Sequence, residues 1–173
     1  VKQAYSLRMN FTSKLPSSET TIFTVMSALA KEHNAINLGQ GFPDFDNSPE
    51  LRRLVEKYLN EGKNQYCPMG GLLELRQNIS SKIQKAYGIH VQPKTEICIT
   101  AGATQALFTA IVAFVNQGEE VIIFEPAYDC YAPSIHIAGG IPLPYTLTYP
   151  DYKINWNKVE EMITEKTRMI IIN

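Results

Sequence analysis

The sequence predicts an α/β fold with a mainly parallel sheet and flanking helices. Three observations carry that reading. From residue 96 onward, apolar runs of strand length alternate with stretches of helical spacing. The runs "EVIIF" and "RMIIIN" are apolar at consecutive positions, as strands covered on both faces are. Within "EICITAGATQALFTAIVAFV" (96–115) the period changes from strand to helix across one glycine, Gly102.

The elements follow in order. Residues 20–32 read as a helix with Ile22, Phe23, Met26, Leu29 and Ala30 on one side. The stretch "INLGQGFPDFDNSP" (36–49) has glycines, prolines and aromatics without a period, and is a loop. A helix starts with Ser48 as N-cap and Pro49 at its first position. Leu51, Leu54, Val55, Tyr58 and Leu59 form its face, and Gly62 ends it. After the loop "NQYCPMGG" comes a helix carrying Leu72, Leu75, Ile79, Ile83 and Ala86, closed by Gly88. Strand 96–100 leads to helix 103–115, and strand 120–124 leads to a segment at 127–138. A weaker strand follows near 141–146, then helix 155–166 with Asn155 as cap and Trp156, Val159 and Ile163 as its face. Met169 to Ile172 read as a central strand. Since ligand sites of such sheets lie just past the strands' carboxyl ends, the chain is expected to be the N-terminal portion of something longer.

Bulk properties exclude several classes. A chain with 45% hydrophobic and 19% charged residues has an ordinary globular balance. A net charge of −1 argues against a nucleic-acid or anionic-membrane partner. No run reaches the roughly 18 apolar residues of a membrane span. The start "VKQAYSLRMNFTSK" lacks the apolar region of a signal peptide, and Met9 could be a natural start with residues 1–8 as an extension. Cys67, Cys98 and Cys130 have neither metal-pair nor redox spacing, so they read as reduced, buried thiols of a cytoplasmic protein. His33, His90 and His136 form no metal motif and read as structural, His33 near a helix end that favours a cation. No metal site is expected.

The join at Gly102-Ala103-Thr104 carries the chemistry. A helix N-terminus offers unpaired N–H groups and partial positive charge to an anion. The pyrophosphate signatures are missing. Gly39-Gln40-Gly41 is followed by Phe-Pro-Asp, which opens no helix, and Gly62-Lys63 lacks the rest of a P-loop. A single phosphate on the helix at 103–115 remains.

Four segments then resemble one family in the right order: "NLGQGFPDF" (37–45), "QYCPMGGLLELR" (65–76), "TAGATQAL" (100–107) and "FEPAYDCY" (124–131). They are similar to the N-terminal half of class I aminotransferases, fold-type I enzymes that use pyridoxal 5′-phosphate (PLP). The likeness is nearest to the kynurenine, glutamine and methionine branch. It implies a fold-type I transferase interrupted within its large domain. Residues 1–46 would be the N-terminal extension, helix and substrate loop, and residues 47–173 the start of the PLP-binding α/β domain.

The resemblance also implies roles. Gly102, Ala103 and Thr104 would take the PLP phosphate, Tyr128 would stack on its ring, and Tyr66 would reach the phosphate of a neighbouring subunit in a homodimer. Gly41, flanked by Gln40 and Phe42, would meet the substrate carboxylate, and Phe23 would form an aromatic wall. The Schiff-base lysine is expected beyond Asn173, which looks like the first residue of the family's N-x-x-x-N-P-x-G segment. Lys82, in "SSK", lies on the polar side of its helix and reads as solvated.

The expected reaction moves an amino group from an amino acid to a 2-oxo acid. Phe23, Phe42, Tyr66 and Tyr128 bring no arginine with them. Methionine, glutamine, phenylalanine, tyrosine or kynurenine are therefore expected to be better donors than aspartate. Two other readings stay open from the sequence: a PLP-dependent C–S β-lyase on the same fold, and a non-catalytic ligand-binding domain of aminotransferase type.

Overall fold

Strand β1 (Glu120–Glu125) organises the sheet. Its residues Val121, Ile122, Ile123 and Phe124 are all buried, so the strand is covered on both faces. It lies between two parallel neighbours, β2 (Ile141–Thr146) and β3 (Thr167–Ile171), in the order β2-β1-β3. Ile122 pairs with Leu143 on one side and Ile170 on the other. A register shift between Glu120 and Val121 interrupts the β1–β3 pairing. The computed structural model describes residues 12–15, 20–41 and 43–173. Met9 and Phe42 lie outside the described residues, as does most of the stretch before α1.

Alternation along β1 sorts two cores. Val121 and Ile123 face helices α4 (Ala103–Phe114) and α5 (Tyr131–Ala138), meeting Ile111, Val115, Tyr131 and Ile135. Ile122 and Phe124 face Val159 on α6 (Trp156–Met162). Phe124 also meets the rings of Tyr145 and Trp156 edge-on, at 5.7 and 6.2 Å. Each crossover between parallel strands is thus a helix, one on either face. The expected α/β class, with parallel strands and flanking helices, is what forms.

Thr104–Asn173, with the few described residues before Ile22, make one compact unit, and Ile22–Ala103 make another. The second unit holds α1 (Ile22–Glu32), α2 (Pro49–Asn60) and α3 (Leu73–Tyr87). In it, the Ser80 hydroxyl donates to the Val91 carbonyl at 2.5 Å, tying α3 to the segment that follows. Gly71 has a φ of +90°, and a Cβ there would fall 2.6 Å from the Ile99 Cβ. Only glycine allows that turn and that approach.

Several local expectations are corrected. Residues 96–100 do not form a strand. Ile99 N–H donates to the Gly70 carbonyl at 3.1 Å, a single bond with a loop rather than a ladder, and β-branched side chains do not make a strand without a partner. The central strand is β1, and β3 pairs only with β1 among the described residues. Helix α6 stops at Met162 rather than 166. There Ile163 is extended, and the Thr164 hydroxyl leaves the helix pattern to donate to Glu120 Oε2 at 2.6 Å. Helix α5 starts at Tyr131, after a turn. Ser48 sits at the N-cap of α2, yet its side chain makes no capping bond. Cys67 and Cys98 are exposed rather than buried, while Cys130 is half-buried and packs against the core. Ile22, Met26 and Leu29 of α1 are exposed, not packed as one apolar side.

Candidate active site

The opening of α4 is built by a three-residue turn, Thr100–Gly102. Gly102 N–H donates to the Thr100 carbonyl at 2.9 Å, and the Thr100 hydroxyl donates to the Gly102 carbonyl at 2.9 Å. Gly102 has a φ of +95°, which side-chain-bearing residues rarely adopt, and a Cβ there would meet nothing within 4 Å. The glycine therefore serves the dihedral, and it leaves the backbone open to close approach. The helix begins at Ala103, with Thr104 next and exposed. No acidic residue stands in the first turn, so no carboxylate of the helix opposes its positive end.

Tyr128 lies just past the carboxyl end of β1, where sheets of this kind bind ligands. It lines a cleft of about 600 Å³ together with Glu125, Asp129, Tyr149 and Tyr152. Tyr128 is 45% exposed, and its ring meets the Tyr131 ring edge-on at 6.0 Å. Tyr131 is buried in the core, so it fixes the exposed ring from behind. Sequence reasoning missed Tyr131. Its signal was the three-residue spacing in "YDCY" across the start of a helix. Nearby, burial pushes the Cys130 thiol above its ordinary range, and the negative charge of Asp129 adds to the rise.

In the unit Ile22–Ala103, the structure brings Gln40 to α1. The Ser27 hydroxyl donates to Gln40 Oε1 at 3.2 Å, and Asn37 Nδ2 donates to Ser27 Oγ at 3.1 Å. Phe23 stands one turn before Ser27 and is half-buried. Gly41 is exposed, with nothing within 4 Å of where its Cβ would be. Tyr66 is fully exposed and buries none of its ring in this chain. Lys82 is exposed on α3 beside Asn78, Ser81 and Lys85, as a solvated residue should be.

The start of α4 and the Tyr128 ring each suit a kind of ligand group. Backbone N–H groups at a helix start, an adjacent hydroxyl and no competing carboxylate are the donors a phosphate takes. An exposed, buttressed tyrosine ring suits a flat heterocycle. PLP, which carries both a phosphate and a pyridine ring, is compatible with these residues.

The family profile for aminotransferase class I and II matches residues 33–173. Methionine aminotransferase of Escherichia coli is 47% identical over 161 residues, covering 93% of this chain and 42% of that enzyme. Kynurenine–oxoglutarate transaminase of Dictyostelium discoideum is 36% identical, covering 95% of this chain and 42% of that enzyme. The crystal structure reported as identifying a methionine aminotransferase function in Escherichia coli superposes with a TM-score of 0.89 at 45% identity. That superposition covers 94% of this chain and 42% of that one. The chain thus spans about two fifths of the length of these relatives.

Proposed function

This chain belongs to the class I and II aminotransferases, and from that premise we propose that the full protein is a PLP-dependent aminotransferase of large neutral amino acids. It would move the amino group of methionine, glutamine, an aromatic amino acid or a kynurenine-type donor to a 2-oxo acid. Class I aminotransferases are PLP-dependent. The observation that carries the reading is the glycine-opened start of α4, Gly102-Ala103-Thr104, inside a chain that matches this family from residue 33 to its last residue.

Bound PLP supplies an aldehyde that accepts the amino group and an electron-poor ring that accepts the electron pair released at Cα. The residues of this chain bind and orient. The backbone at Gly102 and Ala103 and the Thr104 hydroxyl would hold the phosphate; the Gly102 N–H is itself donated to the Thr100 carbonyl, so Gly102 serves by letting the backbone be approached closely. The Tyr128 ring, held by Tyr131, would lie against the pyridine face. Gly41 N–H would take the substrate carboxylate, with Phe23 as apolar wall. Gln40 would serve this pocket from its seat on Ser27. Tyr66 would serve the phosphate of a partner subunit, which makes the enzyme a homodimer. The lysine that joins the cofactor and moves the Cα proton is proposed to lie beyond Asn173. The same proposal divides the chain at residue 46, ahead of the PLP-binding domain. A cytoplasmic location is proposed with it, supported by three free cysteines.

Side-chain chemistry sets the donor class. Apolar burial against an aromatic wall contributes about 25 cal/mol per Å². A carboxylate placed there loses hydration without gaining a cation. The test is kcat/KM for methionine, phenylalanine and aspartate with one common 2-oxo acid. Methionine or phenylalanine should lead aspartate by at least about tenfold, or ~1.4 kcal/mol of differential transition-state binding. A lead for aspartate would overturn the proposed donor class.

A further inference from the structure

One polar residue occupies a position on α1 that packing alone would fill with an apolar one. Phe23, Ser27 and Ala30 are the half-buried residues of the helix, spaced as one stripe down a single face. Ser27 is its middle member. It is matched across the chain by Asn37 and Gln40, the half-buried residues of 33–40. The three side chains form one network. Asn37 Nδ2 donates to Ser27 Oγ at 3.1 Å, and Ser27 donates to Gln40 Oε1 at 3.2 Å. Asn37 Oδ1 accepts the Gly39 N–H at 2.9 Å. Gly39 also lies against α1, where a Cβ would come 3.4 Å from the Met26 Cβ.

We propose that Ser27 and Asn37 are positioning residues that hold the 37–41 loop so that the Gly41 N–H is presented to the substrate carboxylate. This rests on the assignment of Gly41 made above. A loop with glycines at 39 and 41 has more backbone freedom to lose than one without them. Anchoring Gln40 to α1 on one side of Gly41, and the Gly39 N–H to Asn37 before it, removes that freedom before substrate arrives. Binding then costs less. Gln40 acts in this account as the tether between loop and helix, since its amide oxygen is turned to Ser27.

The test uses the full-length holoenzyme with Ser27→Ala, Asn37→Ala and, as a variant that keeps the hydroxyl, Ser27→Thr. Alanine favours helix, so Ser27→Ala removes the bond without weakening α1. The readouts are amide hydrogen exchange at residues 39–41, affinity for hydrocinnamate, and donor KM and kcat. Hydrocinnamate offers a carboxylate and an aromatic side chain with no amino group to transfer. Exchange should quicken in both alanine variants. Hydrocinnamate Kd and donor KM should rise together by roughly two- to tenfold, the effect of one lost hydrogen bond, with kcat nearly kept. Ser27→Thr should restore all three. Unchanged exchange overturns the proposal, as does faster exchange with unchanged hydrocinnamate affinity or a wild-type enzyme that binds no hydrocinnamate. A wild-type protein that binds hydrocinnamate but transfers no amino group would fail only the functional reading, and the affinity comparison would still decide the roles of Ser27 and Asn37.

Discussion

At the scale of single residues, two glycines with the same backbone sign do different work. Gly102 and Gly71 have φ values of +95° and +90°. Around Gly102 there is open space, so Gly102→Ala carries only the dihedral penalty, about 1–2 kcal/mol. At Gly71 the new methyl would also strike Ile99. Gly71→Ala should therefore lower the urea midpoint of the full-length protein more than Gly102→Ala does. Equal losses would mean that the close approach to Ile99 carries no energy. PLP retention should separate the two in the opposite order, because Gly102 stands at the proposed phosphate site. The residues that were legible in the sequence are those whose roles are local. Gly102 announces its turn by chemistry and position. Ser27 was not legible, because its partner Gln40 lies thirteen residues away, whereas Tyr131 stands three residues from Tyr128 and matters only through the ring it supports.

At the scale of elements, capping gives the clearest contrast. Asn155 and Ser48 both read as N-caps, and both occupy that position. Asn155 Oδ1 accepts the Lys158 N–H at 3.3 Å, whereas the Ser48 side chain caps nothing. Asn155→Ala should cost about 0.5–2 kcal/mol in thermal unfolding, and Ser48→Ala far less. A loss at Ser48 as large as that at Asn155 would contradict this assignment. The bounds of β2, the start of α4 and the closure of α3 by Gly88 were all readable, since period and glycine punctuation set them. The strand expected at 96–100 and the tail of the helix expected to 166 were not. Pairing decides the first, and a threonine side chain bonded to a residue 44 positions away ends the second. Neither cause is written in a short window. Of the apolar side expected on α1, Phe23 and Ala30 are half-buried with Ser27 between them, while Ile22 is 62% exposed.

At the scale of the whole molecule, Tyr66 bears on assembly. Its side chain is fully exposed and contributes no packing within this chain. In the proposed function it reaches the phosphate of another subunit. The full-length enzyme should sediment as a dimer. Tyr66→Phe should leave the thermal midpoint of the cofactor-free protein unchanged and weaken PLP retention by roughly 0.5–1.5 kcal/mol, the contribution of one hydrogen bond. A fully active monomer, or a variant that retains PLP like the wild type, would remove Tyr66 from the site.

The sheet itself explains why the site could sit where it does. β1 is rigid because both faces are buried, and Tyr128 is delivered from its carboxyl end with Tyr131 anchored in the same core. Such a scaffold can present a fixed ring while the loops around it vary. These residues are proposed to belong to a PLP enzyme that transfers amino groups from large neutral amino acids. The most direct measurement is a spectral titration of the full-length protein loaded with PLP. Methionine added alone should shift the visible band of the bound cofactor, and a 2-oxo acid added afterwards should bring the original band back. A protein that acquires no such band, or whose band does not respond to methionine, would contradict the account.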